Sequence, residues 1–442
     1  MTIRMDEGAA ELLDTLHRAG YAAYVVGGCV RDSLLGLTPH DWDLCTSALP
    51  QQGMELFGEE KCIPTGLQHG TVTVRQGGGL YEITTFRTEG TYTDGRHPDE
   101  VHFVPDVRED LARRDFTINA MAYNEKEGLV DPFGGQTDLQ SGILRAVGVP
   151  HQRFTEDALR ILRLYRFAAR FGFSIDPPTA QAAQELCAHL DCVSVERIEE
   201  ELAKLLSAPA PAAYLDEKIL GVVLTELSPE ALASAKPVVD ACPAGERALP
   251  VRLAALLLSL GEDGTRRTLR RLRCSNACIE ETAVLVREVV SGVPGAFSSD
   301  TNRAIPSPAL LPAATGSHPS GRSSEKLPAR PPVSLNIYTR KLLGQYGLKT
   351  VQRLAALGTA LQPEHAADFA ALSELAEQLD ADGVCCRVSQ LAVNGRDLMA
   401  AGVPSGPGIR KVLEALLDGV IREEYPNERQ ALLTAVQQLA AS

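Results

Sequence analysis

Three features that would assign the chain to a class of protein are missing from its sequence. The first residues contain acidic side chains and no apolar segment of signal-peptide length. The longest apolar runs, such as 253–260, are too short to span a bilayer. The ten cysteines include no C-x-x-C pair, which argues against a disulfide framework or a zinc site. The sequence therefore predicts reduced thiols, a cytoplasmic location and no association with a membrane.

An excess of basic residues is missing as well. The chain carries 43 Lys and Arg against 57 Asp and Glu, for a net charge of −14. This balance argues against indiscriminate binding to nucleic acid, so any such site must be a local basic groove. A chain of 442 residues is long enough for about three domains.

Strand-like patterns are confined to the region before residue 146. The segment 70–87, GTVTVRQGGGLYEITTFR, predicts a β-hairpin because two β-branched runs flank a glycine triplet. From 153 to 295 the pattern is helical, and a last helical region spans 336–442. The segment 296–335 between them is rich in Ser, Pro and Ala, which predicts a flexible linker. The prediction is an α+β domain followed by helices.

The aspartates Asp41 and Asp43 flank one residue, Trp42. On an extended segment, residues two apart point to the same face, and two neighbouring carboxylates repel each other unless a cation lies between them. Enzymes of phosphoryl transfer use such pairs to hold Mg²⁺ against a triphosphate. Taken alone, the pair favours a solvated surface turn, because the pattern D-x-D is common.

Two further features favour a phosphate and metal site. Gly27 and Gly28 follow an apolar strand and allow a phosphate to approach the backbone, where Arg31 could pair with it. Glu82 lies in an alternating strand, and three carboxylates converge if that strand lies beside the aspartates. The alternatives are a tight turn before a helix with a surface arginine, and a glutamate at the rim of the sheet.

The segment 111–123, LARRDFTINAMAY, combines cations with polar side chains. Arg113 and Arg114 precede Asp115 and Asn119, an arrangement that could read a sugar or phosphate. The alternative is a helix start with Asp115 as its cap.

The segment 153–170 predicts one amphipathic helix with an unusual polar face. Its apolar face contains Ala158, Ile161, Leu162, Tyr165, Ala168 and Ala169. Its polar face contains Arg153, Glu156, Asp157, Arg160, Arg163, Arg166 and Arg170. Arginine forks suit phosphates and base edges, although an exposed face with ion pairs is also possible. The next helix, 194–206, is interpreted as structural, with Ser194 at its start.

Seven short motifs follow one another between residues 10 and 205: G-G-x-V-R-D, D-x-D, E-x-T-T-F-R, R-R-D-F-T-I-N-A, D-P-F-G-G, E-D-A-L-R-I-L-R-x-x-R-F and S-V-E-R-I-E-E-E-L. This series resembles the class II tRNA nucleotidyltransferases, which comprise the bacterial CCA-adding enzymes and their poly(A) polymerase relatives. The resemblance is weaker through the middle helices and returns near 393–421.

The resemblance implies a nucleotidyltransferase head of the DNA polymerase β type, followed by helical domains. The corresponding ranges are a head at 1–147, a neck at 148–205, a body at 206–295, the linker at 296–335 and a tRNA-binding tail at 336–442.

The resemblance also implies the roles of individual residues. Asp41 and Asp43 would hold two Mg²⁺ ions, and Glu82 would be the third carboxylate of the head. The residues carried over for the nucleotide are Gly28 and Arg31 for the triphosphate, Arg114 near the sugar and phosphates, Asp157 and Arg160 as a template for the base, and Arg163 and Arg166 to complete the site.

The implied reaction adds C, C and A to the tRNA 3′ end from CTP and ATP, by in-line attack of the 3′-hydroxyl on the α-phosphate. A carboxylate can accept from the exocyclic amino group of cytosine or adenine, and an arginine can donate to their ring nitrogens. Uracil and guanine present the opposite pattern and are disfavoured.

Three alternatives share parts of this pattern. An A-adding enzyme would use the same template, and a poly(A) polymerase would share the head and the metal site. Against the latter, the balance is acidic, Ala158 stands where those relatives often have proline, and the loop 89–101 is intact. A non-catalytic RNA-binding protein predicts a damaged metal site, yet both aspartates are present. The segment 253–263 has no His-Asp pair, so we expect no phosphohydrolase activity.

Overall fold

The computed structural model describes residues 3–90, 101–290 and 335–441. The chain divides into two compact units, Met1–Thr225 and Glu226–Ser442. Most of the loop 89–101 and nearly all of the predicted linker 296–335 lie outside the described residues. The predicted boundary at 205/206 lies inside the first unit, and the division into head, neck, body and tail stays a prediction.

The first unit contains every strand found in the described residues. The strands are β1 (Ala23–Val26), β2 (Leu44–Thr46), β3 (Cys62–Gly66), β4 (Thr71–Gln76), β5 (Gly79–Thr85), β6 (Arg87–Glu89), β7 (Val101–Phe103), β8 (Ala122–Asn124), β9 (Gly128–Val130), β10 (Ile143–Leu144) and β11 (Ser174–Ile175). Seven of them form one sheet in the order β3-β4-β5-β2-β1-β8-β9. The predicted hairpin is confirmed as β4 and β5, which pair antiparallel.

One pair in this sheet differs from the others. Strands β2 and β5 run parallel, whereas the remaining neighbours are antiparallel. The crossover between them contains the hairpin partner β4, so β5 returns to the centre of the sheet next to β2. This connection brings two segments together that are about forty residues apart in sequence.

Ten helices surround the sheet or follow it in the first unit. They are α1 (Glu7–Arg18), α2 (Gly28–Leu34), α3 (Pro50–Phe57), α4 (Val107–Ala112), α5 (Gly135–Ser141), α6 (Pro150–Glu156), α7 (Leu159–Phe171), α8 (Pro177–Leu186), α9 (Val195–Leu206) and α10 (Glu217–Val223). A buried cluster that includes Tyr24, Phe86 and Leu111 packs strands against α4.

The prediction of one continuous helix over 153–170 is wrong. The helix is interrupted at Asp157, which has extended backbone angles (φ −145°, ψ 104°) between α6 and α7. The Asp157 carboxylate accepts a hydrogen bond from the Leu159 backbone N–H at 3.1 Å and so starts the second helix. The predicted apolar face is confirmed, because its six members are buried.

The second unit is helical throughout its described residues. Its helices are α11 (Pro229–Ala241), α12 (Leu249–Leu257), α13 (Gly261–Arg271), α14 (Asn276–Val290), α15 (Leu335–Tyr346), α16 (Leu348–Leu361), α17 (Ala366–Ala381), α18 (Gly395–Ala400), α19 (Pro407–Ile421) and α20 (Arg429–Ala441). The fold is therefore α+β, with a mixed-sheet domain followed by helices, as predicted. Among the described helices, none has the length and apolarity needed to cross a membrane. All ten cysteines are free, in agreement with the prediction of thiols.

Candidate active site

Asp41 and Asp43 lie in the irregular segment that leads directly into β2. The Asp43 carbonyl accepts a hydrogen bond from the Val26 backbone N–H at 2.9 Å. This bond continues the pairing of β1 with β2 beyond the last paired strand residue, so Asp43 is fixed at the edge of the sheet. Both aspartate side chains are exposed to solvent.

Glu82 lies on the strand next to the aspartates, as the sequence predicted. In the parallel pairing of β2 with β5, Leu44 is opposite Ile83, so Glu82 and Asp43 each lie one residue before that pair. Glu82 is exposed while Tyr81 and Ile83 are buried. The strand thus directs its carboxylate away from the core.

The pKa of Asp43 reflects the proximity of the Asp41 and Glu82 carboxylates. The pKa of Asp43 is raised above the ordinary value, mainly because the surrounding protein partly desolvates the carboxylate. Solvent still reaches the side chain. The negative charges of Glu82 and Asp41 raise the pKa further. Arg114 opposes the rise. One guanidinium therefore faces three acidic groups, and the local negative potential is left for a cation to neutralise.

A divalent cation fits this set of donors. In the part of the chain that the structure describes, no group of three or more His, Cys, Asp or Glu could hold a metal ion by itself. Mg²⁺ is usually bound by only one or two carboxylates, with the remaining positions filled by water and by substrate phosphates. The Asp41 and Asp43 pair matches that requirement.

Arg114 lies over the glycine turn that precedes α2. Gly27 has a positive φ of 78°, and a Cβ added there would lie 2.9 Å from Arg114 Nη1. A larger residue would therefore strain the backbone and displace the guanidinium. Arg114 Nη2 donates to Asp110 Oδ2 at 3.3 Å, whereas its Nε is buried without a hydrogen-bond partner. A guanidinium whose Nη1 reaches a glycine turn is suited to an anion.

Gly28 begins α2 and lies close to Arg31, since a Cβ on Gly28 would be 3.7 Å from Arg31 Nη2. Arg31 itself is buried and fully engaged. Its Nε donates to Asp32 Oδ1 at 2.8 Å and its Nη1 to Asn119 Oδ1 at 2.5 Å. The structure thus places Arg31 beside the glycine turn, with its guanidinium already paired.

Asp157 and Arg160 start α7, and both are paired inside the protein. Arg197 forms a fork with Asp157, with 2.8 Å from Nη2 to Oδ2 and 3.3 Å from Nη1 to Oδ1. Arg160 Nη1 donates to Glu156 Oε2 at 2.7 Å, and its Nη2 donates to the Arg113 carbonyl at 3.2 Å. Arg160 is buried, so the exposed face of the alternative interpretation is wrong for this residue, but its ion pair with Glu156 is of the i,i+4 kind that this interpretation predicted.

Arg163 and Arg166 gather around one aromatic ring, that of Phe167. Their guanidinium carbons lie 5.4 Å and 3.8 Å from its centroid, and that of Arg31 lies 5.2 Å away. Three like charges on one ring need counterions. Asp32 pairs with Arg31, while Asp115 and Glu201 pair with the other two.

Asp115 connects the segment 111–123 to α7. It is not a helix cap. Its Oδ1 accepts from the Phe116 backbone N–H at 2.8 Å and from Asn119 Nδ2 at 3.1 Å, and its Oδ2 accepts from Arg163 Nη2 at 2.7 Å. Burial alone would raise the pKa of Asp115, but Arg163 and Asn119 outweigh it and lower the pKa to about 2.

The sequence analysis did not identify Arg197 as the partner of Asp157, or Glu201 as the partner of Arg166. Arg197 and Glu201 belong to α9, which was interpreted as structural. Their spacing of four residues places them on one face of that helix, which is the signal that could have found them. In the first unit, the structure brings the carboxylates, the glycine turn and Arg114 together, and it links Arg31 to Arg163 and Arg166 through Phe167.

The mixed sheet, the paired carboxylates and the adjoining glycine turn all lie within residues 23–145, which match the poly A polymerase head domain and assign the chain to the nucleotidyltransferases. Two further family models match: "Probable RNA and SrmB- binding site of polymerase A" over residues 172–217 and "tRNA nucleotidyltransferase domain 2 putative" over residues 336–436.

The comparison with individual proteins is more specific. A CCA-adding enzyme of Lactiplantibacillus plantarum is 35% identical over 99% of this chain and 97% of its own length. One of Geobacillus thermodenitrificans is 34% identical over 96% of this chain and 95% of its own length. The crystal structure of Bacillus stearothermophilus CCA-adding enzyme in complex with CTP has a TM-score of 0.77 at 29% identity, covering 99% of this chain and 98% of that one. The chain belongs to the CCA-adding enzyme family, as its motifs predicted, and is an enzyme of metal-dependent nucleotidyl transfer.

Proposed function

We propose that this enzyme adds C, C and A to the 3′ end of tRNA from CTP and ATP, in the cytoplasm. The observation that carries the proposal is the position of Arg114. Its Nη1 lies at the Gly27 turn, and its charge acts on Asp43. A triphosphate at that turn would lie between the cation and the carboxylates.

Asp41 and Asp43 would hold Mg²⁺, and Glu82 beside them would assist in removing the proton from the attacking 3′-hydroxyl. When bound there, Mg²⁺ supplies Lewis-acid activation of the hydroxyl and charge neutralisation on the phosphates. The raised pKa of Asp43 supports this role, because a cation would offset both the partial desolvation that mainly raises it and the repulsion from Glu82 and Asp41.

Gly28, Arg31 and Arg114 would bind the triphosphate. Gly27 and Gly28 leave the backbone open to a phosphate, and the Nη1 of Arg114 approaches the same turn. Arg31 would contribute from its position beside Gly28, where Asn119 and Asp32 orient its guanidinium.

Asp157 and Arg160 would read the base, with Arg163 and Arg166 completing the pocket. The carboxylate accepts from the amino group of cytosine or adenine, and the guanidinium donates to a ring nitrogen. Uracil and guanine place a carbonyl where the amino group is required, so the carboxylate repels them.

The ranges 1–147, 148–205, 206–295 and 336–442 would act as head, neck, body and tail, with the tail binding tRNA. The match of tRNA nucleotidyltransferase domain 2 to 336–436 supports the last assignment. A structure of Thermotoga maritima CCA-adding enzyme complexed with tRNA has a TM-score of 0.64 at 21% identity, covering 99% of this chain and 97% of that one; this likeness concerns the fold alone.

A nucleotide-resolved assay tests the proposal. Transcripts of tRNA that end before CCA, before CA and before A are each incubated with one nucleotide at a time, and the products are separated by length. We expect CTP to extend the first two and ATP the third. Addition of ATP alone would indicate an A-adding enzyme, and a long run of A would indicate a poly(A) polymerase.

Metal binding has a readout that does not depend on activity. The only tryptophan, Trp42, lies between the two aspartates, so its fluorescence reports on them directly. Titration with CTP and Mg²⁺ should change this fluorescence in the wild type, whereas Asp41→Ala with Asp43→Ala should remove the Mg²⁺-dependent part.

A further inference from the structure

The carboxylate of Asp157 is held by three donors. Its Oδ1 accepts from the Leu159 backbone N–H at 3.1 Å and from Arg197 Nη1 at 3.3 Å, and its Oδ2 accepts from Arg197 Nη2 at 2.8 Å. The side chains of Arg197 and Asp157 are 21% and 14% exposed. The pair is thus partly shielded from water. An ion pair fully exposed to water contributes little, so this shielding strengthens the contact between Arg197 and Asp157.

These three donors limit how many further hydrogen bonds the Asp157 carboxylate can accept. A carboxylate offers about four lone-pair positions over its two oxygens. Both positions of Oδ1 are occupied, and Arg197 occupies one position of Oδ2. A single acceptor position remains, which suits one N–H of an exocyclic amino group.

The fork also fixes the plane of the carboxylate. A bidentate arginine holds both oxygens in the plane of its own guanidinium. Without it, Asp157 would keep only the Leu159 N–H and could rotate about its terminal torsion, which is broad for aspartate. The remaining acceptor position would then no longer point in one direction.

We infer that Arg197 is a positioning residue for base selection: by clamping Asp157 from α9, it aims one acceptor position at the incoming base. The inference rests on the proposed function, because it requires Asp157 to read the base. Arg160 needs no such help from α9, since Glu156 and the Arg113 carbonyl hold its guanidinium. Selectivity therefore depends on a residue that does not touch the nucleotide.

The test compares selectivity rather than activity. For wild type, Arg197→Met, Arg197→Lys and Asp157→Ala, kcat/KM is measured for CTP and UTP on a tRNA transcript that ends before CCA. Lys204→Met is the matched control, because Lys204 lies on the same helix and forms an exposed ion pair with Glu200 at 2.6 Å. Trp42 fluorescence confirms that each variant is folded.

We expect Arg197→Met to lower the ratio of CTP to UTP efficiency by about tenfold, the scale of one hydrogen bond to a charged group. Arg197→Lys should restore part of the ratio, since lysine keeps the charge but not the fork, and Lys204→Met should leave it unchanged. An equal loss for CTP and UTP in Arg197→Met would overturn the inference, because a structural tie affects both nucleotides alike.

The Asp157→Ala variant separates the two levels of the hypothesis. If it lowers the ratio while Arg197→Met does not, only the role of Arg197 is wrong. If neither variant changes the ratio, the assignment of Asp157 as base reader fails as well, and the inference fails with it.

Discussion

The edge of the sheet and helix α7 differ in their balance of charge: acidic groups are in excess at the edge, whereas arginines predominate on the helix. At the edge, Asp41, Asp43 and Glu82 face the single guanidinium of Arg114, and negative charge is left over. On α7, Arg163 and Arg166 have counterions in Asp115 and Glu201. The edge therefore keeps an excess of negative charge, whereas the guanidiniums of α7 are already neutralised by the protein. In the proposed function, the edge would be completed by bound ligands and the helix would select the base.

The largest expected effect comes from removing charge at the incomplete edge. Asp41→Ala should abolish nucleotide addition, by at least about 10³-fold, since electrostatic stabilisation of this kind is a large term in catalysis. Incorporation of CTP into tRNA measures it. Asp14→Asn, in an exposed ion pair with Arg18, serves as control. Retained activity in Asp41→Ala would remove the metal assignment.

The cation at the edge should matter next. Arg114→Met is expected to raise KM for CTP and for ATP by about tenfold to hundredfold, because it loses charge-assisted hydrogen bonds to the phosphates. Arg108→Met, whose arginine is 64% exposed, should leave both values unchanged. A change for one nucleotide only would contradict a phosphate role, since both substrates share the triphosphate.

The ion pair between Arg163 of α7 and Asp115 should make the free energy of unfolding depend on pH in the acidic range. The pKa of Asp115 is about 2 in the folded protein, below the ordinary value near 3.9. Its contribution is therefore fully present above that ordinary value and is lost as the pH falls towards 2. We expect Asp115→Asn to lower the free energy of unfolding of the first unit by about 2 kcal/mol at neutral pH.

Urea unfolding followed by Trp42 fluorescence measures this difference at several pH values. The difference between wild type and Asp115→Asn should shrink between pH 4 and pH 2. A difference that stays constant over that range would show that the ion pair with Arg163 is not its source.

The smallest effect is expected at the shared ring. Phe167→Leu removes the aromatic face from three guanidiniums and should raise KM for both nucleotides by roughly threefold, the scale of a modest cation–π contribution. Phe173→Leu is the matched control, because Phe173 contacts Phe171 rather than a guanidinium. An effect of equal size in both variants would indicate general loss of packing.

Local patterns in the sequence predicted most of the strands and helices. Contacts between side chains far apart in the sequence could not be predicted from such patterns. The hairpin of β4 and β5 followed from alternation and from glycine, and the adjacency of Glu82 to Asp43 followed once β5 was placed beside β2. The interruption at Asp157 was missed because the polar residues from Arg153 to Arg160 keep helical spacing across it. The ion pair of Arg163 with Asp115 spans 48 residues, and no periodicity within one helix can specify such a partner.

The aromatic contact of Arg31 with α7 has a consequence for protein synthesis. Arg31 lies in the second helix of the chain, yet Phe167 and Phe171 hold it. At typical rates of translation, the ribosome needs roughly 7 to 30 seconds to move from the first of these residues to the last. During that interval the nascent chain already contains Asp32 and Asn119, which accept hydrogen bonds from Arg31, but it lacks the two aromatic rings that pack on the guanidinium. The surroundings of Arg31 are therefore completed only after α7 has been synthesised.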